Sequence, residues 1–282
     1  MQLRKMLQAL FPQYKYAINS TLLGDESLLA WSNLGYWSAQ QRSYPEACRQ
    51  LADQLAQAIA LKATDHVLDL GCGQGASLLH WSQHYHLSHF SAVELQKACV
   101  EQIQQQCIPG LDAIYASSFL QLREPELEQA FDVVLCIDAA YHHAFSKFLN
   151  VAHRMLKPQG RLAFHYLVRS PRWQTLSSFK QLQYRYLLKA ADIDVDTLPE
   201  QQQAEEMLFE SGFSQCQFTD LSEAVLAGFA NYVDQLAKTA LKTAGLDGFK
   251  ILMTAKLCDK LYREGYLNYL QISAERAAES QC

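Results

Sequence analysis

No run of apolar residues in this 282-residue chain approaches the length that crosses a bilayer, which argues against stable membrane insertion. The eight cysteines, at 48, 72, 99, 107, 136, 216, 258 and 282, contain no C-x-x-C pair. Most fall in apolar patterns and read as buried, reduced thiols of a cytoplasmic protein. There is no excess of basic residues: the net charge is −5 and the lysines and arginines are scattered, so no basic stripe offers itself to nucleic acid. There is no H-E-x-x-H. His80, His84, His86 and His89 gather in one segment, but it leads towards the second strand, at the far end of the sheet, with no matching carboxylate set, so no metal is expected. The N-terminus starts basic, yet Gln8 breaks its apolar stretch and no small-residue cleavage site follows, so it reads as mature protein. Internal repeats and low-complexity segments are absent. What remains is a chain with 49% hydrophobic residues, enough for a packed core in one large domain or one domain with an appendage.

The stretch that organises the rest is Val67-Leu68-Asp69-Leu70-Gly71-Cys72-Gly73-Gln74-Gly75. Val67 to Leu70 read as a short buried parallel strand, and Ala76 onwards opens a helix. A strand, a glycine turn and a helix bring backbone N–H groups and a helix N-terminus against an anionic ligand group. The spacing is G-x-G-x-G, not the dinucleotide fingerprint G-x-G-x-x-G, which disfavours a nicotinamide oxidoreductase. Glu94 closes the next strand-like run, Phe90 to Glu94, roughly twenty residues on, where a carboxylate can accept from ribose hydroxyls. On these residues the sequence resembles the class I S-adenosylmethionine-dependent methyltransferases, in the branch that holds small-molecule O-methyltransferases and cyclopropane-synthase-like enzymes.

The remaining pattern alternates strands and helices, which implies a parallel sheet covered on both faces. Strands are expected at about 66–70, 90–94, 112–116, 132–137 and 161–168, with helices at about 44–61, 96–107 and 145–156. Lys157-Pro158-Gln159-Gly160 stands where a helix stops. Residues 1 to about 30 read as helical and amphipathic. Beyond Val168 two long helical stretches, to about 211 and from about 223 to 263, alternate with strands at 216–220 and 267–273. Together with the resemblance, the fold expected is α/β: a Rossmann-like doubly wound sheet, mostly parallel with an antiparallel last strand. It carries a helical N-terminal lid (1–62), a cofactor-binding core (63–170) and helical cap inserts with the last two strands (171–282).

The resemblance assigns Asp69, Gly71, Gly73 and Gly75 to the amino acid end of S-adenosylmethionine and Glu94 to its ribose. Leu95 packs on the adenine in the same reading. Where the family usually shows Gly-Asp-Ala, this chain has Ala116-Ser117-Ser118 and then Phe119, so Ser117 stands in for the acidic residue. Asn33-Leu34-Gly35-Tyr36-Trp37 resembles the segment that closes the cofactor pocket, with Tyr36 over the methionine end. Asp138, at the carboxyl end of the fourth strand, lies at the cofactor edge, and His142 and His143 lie on the rim facing the acceptor. A histidine suits proton removal because its ordinary pKa, about 6.5, lies near working pH. His165, read at the end of strand five, either shares that duty or is a buried histidine. Tyr184, Tyr186, Phe229 and Tyr232 are candidates for the acceptor pocket. The function that follows is methyl transfer from S-adenosylmethionine to a small-molecule acceptor, with a hydroxyl oxygen the favoured nucleophile. Carbon or nitrogen methylation of a small molecule or lipid, and a non-catalytic cofactor-binding protein, stand as alternatives; a homodimer is left open.

Overall fold

A computed structural model describes residues 18–38, 43–236 and 238–278. Most of the expected N-terminal helix lies outside these residues. The part inside, residues 18–30, holds one 3-10 turn, Ser20–Leu23, closed by Gly24. Beyond it the chain is not helical, because the buried Asp25 carboxylate collects the backbone N–H groups of Ser27 and Trp31 and offers the backbone an alternative to helical bonds. The first α-helix among the described residues is α1, Tyr44–Ala58, which buries Cys48, Leu51 and Leu55. Its first turn is tied by the Ser43 N–H donating to Glu46 Oε2.

Seven strands form one sheet: β1 His66–Leu70, β2 His89–Glu94, β3 Leu111–Ala116, β4 Phe131–Cys136, β5 Leu156–Arg169, β6 Phe213–Asp220 and β7 Leu267–Arg276, in the order β3-β2-β1-β4-β5-β7-β6. Pairings among β1 to β5 are parallel, and β7 runs antiparallel to both β5 and β6. The residues of β4 from Val133 to Cys136, like Val67, Leu68 and Leu70 of β1, have no exposed surface. That is why these strands read as unbroken apolar runs rather than alternating ones. The crossovers are α2 Ala76–Gln83, α3 Lys97–Gln104 and α4 Phe145–Met155. Strand order reverses between β1 and β4, the switch point where open α/β sheets form a crevice.

Lys157 to Gly160 differ from expectation in a small way. They form a bulge inside β5: Leu156 pairs with Phe131, and pairing resumes with Arg161 on Val133. The two long helical stretches are also interrupted. The first divides into α5 Ser178–Ala190 and α6 Gln201–Glu210, separated where Asp192 takes a left-handed φ of 59°. The second begins as a π-helical turn, Glu223–Ala227, runs into α7 Gly228–Gln235, and continues as α8 Lys238–Thr243 and α9 Gly245–Glu264. Among the described residues no helix is long and apolar enough to cross a membrane.

One contact clamps the glycine turn from below. The fully buried Trp81 of α2 donates its indole N–H to Asp69 Oδ2 at 2.8 Å, and Ser77 Oγ donates to the same oxygen at 2.8 Å. Trp81→Phe keeps most of the packing and removes one donor from a buried carboxylate, a loss of about 2 kcal/mol. The melting midpoint should fall by roughly 4–8 °C in a thermal scan followed by circular dichroism; an unchanged midpoint would show that this bond does not hold helix to strand.

Candidate active site

At the carboxyl ends of β1, β2 and β4 the sheet opens into a cleft. Its floor is the glycine turn, where Gly71, Gly73 and Gly75 all have positive φ. At Gly73 the reason is steric as well as conformational: a Cβ there would lie 2.6 Å from Ser32 Oγ, so the N-terminal segment can close on the turn only because no side chain intervenes. The freed Gly73 N–H donates to Glu94 Oε2 at 2.9 Å, and the Gln96 N–H donates to Oε1 at 2.8 Å. These bonds fix the buried Glu94 carboxylate at the end of β2; burial raises its pKa against their pull. Leu95 is 54% exposed and forms an apolar wall, and Ser117, Ser118 and Phe119 line the side beyond it. Asp69 is buried, and its second oxygen, Oδ1, has no hydrogen-bond partner. The cleft therefore offers an unpartnered buried carboxylate oxygen, a second fixed carboxylate, an apolar wall and a turn with no room for side chains. That set fits a cationic nucleoside bearing an amino group.

A second cavity adjoins the first and shares Ser32, Asp138 and His142 with it. Most of its other walls are apolar, drawn from α5, the π-helical turn and α9, for example Leu187, Leu226, Met253 and Leu257. At the junction Asp138 takes a left-handed φ of 57°. Its carboxylate accepts the Leu34 N–H at 2.8 Å, the Tyr269 hydroxyl at 2.7 Å and the Tyr141 hydroxyl at 3.0 Å. Asp138 thus lines the cofactor edge but has its carboxylate committed to the protein, with burial raising its pKa despite these donors. His142 lies on the wall common to both cavities, with Nδ1 3.1 Å from the Asp192 carbonyl oxygen. In that bond Nδ1–H donates, and the lone pair is on Nε2. His143 lines only the first cleft, edge-on to Phe119 with ring centroids 4.9 Å apart. Burial, and then the neighbouring His142, pull its pKa down.

Several expected site residues stand elsewhere. Tyr36 does not line the cleft. Gly35, with φ 74°, turns the chain and the Tyr36 N–H donates to the Ala47 carbonyl, so Tyr36 faces a separate surface hollow with Trp37 and Tyr232. The same segment meets the cleft earlier, through Ala30 to Asn33. His165 is fully buried, stacked on Tyr269, and lines neither cavity. Burial pushes it down to about 3 against a small upward pull from Gln271, so it is neutral and has no access to an acceptor. None of Tyr184, Tyr186, Phe229 and Tyr232 lines the second cavity. Tyr184 donates to Glu264, Tyr232 to the Leu23 carbonyl, Phe229 is core and Tyr186 points to solvent. His80 is engaged by Asp53, Nε2 to Oδ1 2.6 Å, and no group of three metal-ligating residues occurs among the described ones. Sequence reading did not find Ser32, Asp192 or the Tyr269 phenol. None belongs to a local motif, and each reaches the site from a distant part of the chain.

A doubly wound sheet with a glycine turn and an acidic strand end at its switch point defines a nucleoside-cofactor enzyme of the α/β class. Residues 67–160 match the family model described as a methyltransferase domain. The chain is similar over 277 residues, at 24% identity, to the O-methyltransferase resE of Aspergillus sclerotiorum, covering 95% of this chain and 96% of that one. It is 31% identical over 139 residues to the erythromycin 3''-O-methyltransferase of Saccharopolyspora erythraea, a match that covers 48% of this chain and 45% of that one. Among solved structures, a cyclopropane synthase from Mycobacterium tuberculosis superposes with a TM-score of 0.73 at 17% identity, covering 93% of this chain and 97% of that one, and shares the fold. Residues 67–160 are thus a methyltransferase domain, and S-adenosylmethionine is the cofactor it serves.

Burial pushes Asp69 up to about 6, against the donors Trp81 and Ser77; in an unfolded chain it titrates near 3.9. The shift is upward, so the stability this group contributes is fully present below about pH 4 and is lost as pH rises through 6. The full change is on the order of 3 kcal/mol. In Asp69→Asn the amide oxygen still accepts both donors, so the dependence disappears. The mutant midpoint minus the wild-type midpoint, measured without cofactor, should grow by several degrees between pH 4 and pH 7. A difference that stays level across that range would overturn the assignment.

Proposed function

We propose that the protein moves the methyl group of S-adenosylmethionine to a hydroxyl oxygen of a small, largely apolar acceptor held in the second cavity. The observation that carries this reading is His142 on the wall common to both cavities, with its tautomer fixed by the Asp192 carbonyl. When bound, the cofactor supplies a methyl group on a positively charged sulfur. Asp69 Oδ1 accepts from its amino group, Glu94 from its ribose hydroxyls, Leu95 covers its adenine and Ser117 accepts from the adenine amino group. Gly71, Gly73 and Gly75 leave room for the amino acid end. Ser118 and Phe119 close the adenine side. His142 Nε2 takes the proton of the acceptor hydroxyl as that oxygen becomes the nucleophile, and later returns it to solvent. His143 orders the Phe119 side of the cleft. Walls from α5 and α9 keep water from the acceptor, and the rest of the rate comes from holding two groups in line, worth roughly 7–11 kcal/mol in well-oriented systems. The two O-methyltransferase relatives support oxygen as the nucleophile.

The test uses a panel of hydroxylated small molecules with a tritiated methyl donor. With an accepted substrate, His142→Ala should lower kcat about a hundred- to ten-thousandfold, partly recovered at high pH, and His143→Ala less than tenfold. Turnover by His142→Ala equal to wild type at saturating acceptor would remove the base assignment. Binding is read separately by calorimetry with S-adenosylhomocysteine. Gly73→Ala, which drives a methyl group into Ser32, and Glu94→Ala should each weaken it by at least tenfold; wild-type affinity in both variants would mean that the cofactor lies elsewhere.

A further inference from the structure

The second cavity has a direction. Along α9, Lys250, Thr254, Cys258 and Leu261 line it, at the spacing of a single helix face. Exposure on this side of the helix falls from 60% at Phe249 and 39% at Met253 to 3% at Cys258 and 2% at Leu261. The Asp138 charge acts on the Cys258 thiol, so the closed end of the cavity is the end that meets the cleft. Lys250 stands at the open end. Eight residues of helix separate it from Cys258, about 12 Å at 1.5 Å per residue.

Lys250 is half-buried and makes no ion pair among the described residues. The only acid within a turn of it on α9, Asp247, accepts from Asn19 Nδ2 at 2.9 Å. The other charged groups on the cavity wall, Asp138 and Asp192, are both at the His142 end. The lining is therefore apolar through its middle, negative where it meets the cleft, and positive only at its mouth. A partly desolvated ammonium without a counter-charge is stabilised by any ligand that brings one.

Resting on the proposed use of this cavity for the acceptor, we infer that Lys250 reads an anionic group. The acceptor is an amphiphile with a carboxylate-like charge on the order of 12 Å from the end of the cavity that meets the cleft, joined by an apolar body. Lys250 is then a specificity residue, remote from the transfer itself.

Three ten-carbon probes separate the outcomes: ω-hydroxydecanoate, decanediol and aminodecanol, titrated calorimetrically into protein saturated with S-adenosylhomocysteine. Wild type should bind the acid roughly tenfold more tightly than the diol. Lys250→Met should bring the two within twofold, and Lys250→Glu should turn the preference to the amine. Both variants should keep the heat of S-adenosylhomocysteine binding, which reports folding. If the diol binds as well as the acid, or the acid keeps its advantage in Lys250→Met, the inference about Lys250 falls while the acceptor cavity stands. If no probe binds to protein that still takes S-adenosylhomocysteine, both fall together.

Discussion

The carboxylate of Asp138 is the fixed point of this molecule. Three donors reach it from three places: Leu34 in the N-terminal segment, Tyr141 just beyond β4 and Tyr269 on β7. Each bond spans a different part of the architecture. The first draws the N-terminal segment down on the glycine turn, so that Ser32 meets Gly73. The last draws the edge of the sheet, and with it the packing under α9, to the end of β4. Charge-assisted bonds of this kind are stronger than neutral ones, and a poorly solvated carboxylate with its oxygens filled resists replacement by any single neutral group. Both cavities are lined by this residue because they are, in effect, the spaces left on its two sides.

Those spaces differ in kind. The cleft is acidic, with Asp69 and Glu94 both pushed up by burial. Two carboxylates held where ionisation is disfavoured are stabilised by a cationic ligand, and an amine or sulfonium returns part of what burial costs them. The second cavity is apolar between its polar ends. A cation-attracting cleft beside a mainly apolar cavity is the division of labour that the proposed methyl transfer needs, since the charged donor and a less polar acceptor would each enter a space of matching character.

Local chemistry was legible in the sequence, and contacts between distant segments were not. The strands from β1 to β5, the glycine turn and Glu94 follow from apolar runs, turn residues and spacing that belong to a few consecutive residues each. His165 shows the limit. His165 follows Phe164, where the parallel pairing of β5 with β4 stops, and the ends of parallel strands face ligands. Antiparallel pairing with β7 runs on past it from Arg161 to Arg169, and Tyr269 of β7 covers its ring. Tyr36 fails for a related reason. The segment the resemblance picks out borders the cleft at Asn33, but Gly35 and the Ala47 carbonyl turn Tyr36 away from it, which no pattern of apolar positions records. Likewise, Leu34 and Asp138 are 104 residues apart, and Tyr269 and Asp138 are 131.

The two left-handed residues that flank His142 connect this architecture to its chemistry. Non-glycine residues at positive φ are uncommon, with aspartate among the more tolerant. Asp138 and Asp192 both adopt it, at 57° and 59°. After Asp138 the chain folds at once into the 3-10 turn Ala140–His142, which carries the imidazole back over the cavity junction. At Asp192 the same geometry ends α5 and aims a backbone carbonyl at Nδ1. The ring is thus placed by two backbone irregularities: a carbonyl that accepts from Nδ1 orients the imidazole and fixes its tautomer. The carboxylates of Asp138 and Asp192 stand at the same end of the cavity, and the Asp138 charge acts on His142. On the proposed reading, a ring set this way would take the acceptor proton on Nε2 with a negative charge at hand to stabilise the imidazolium.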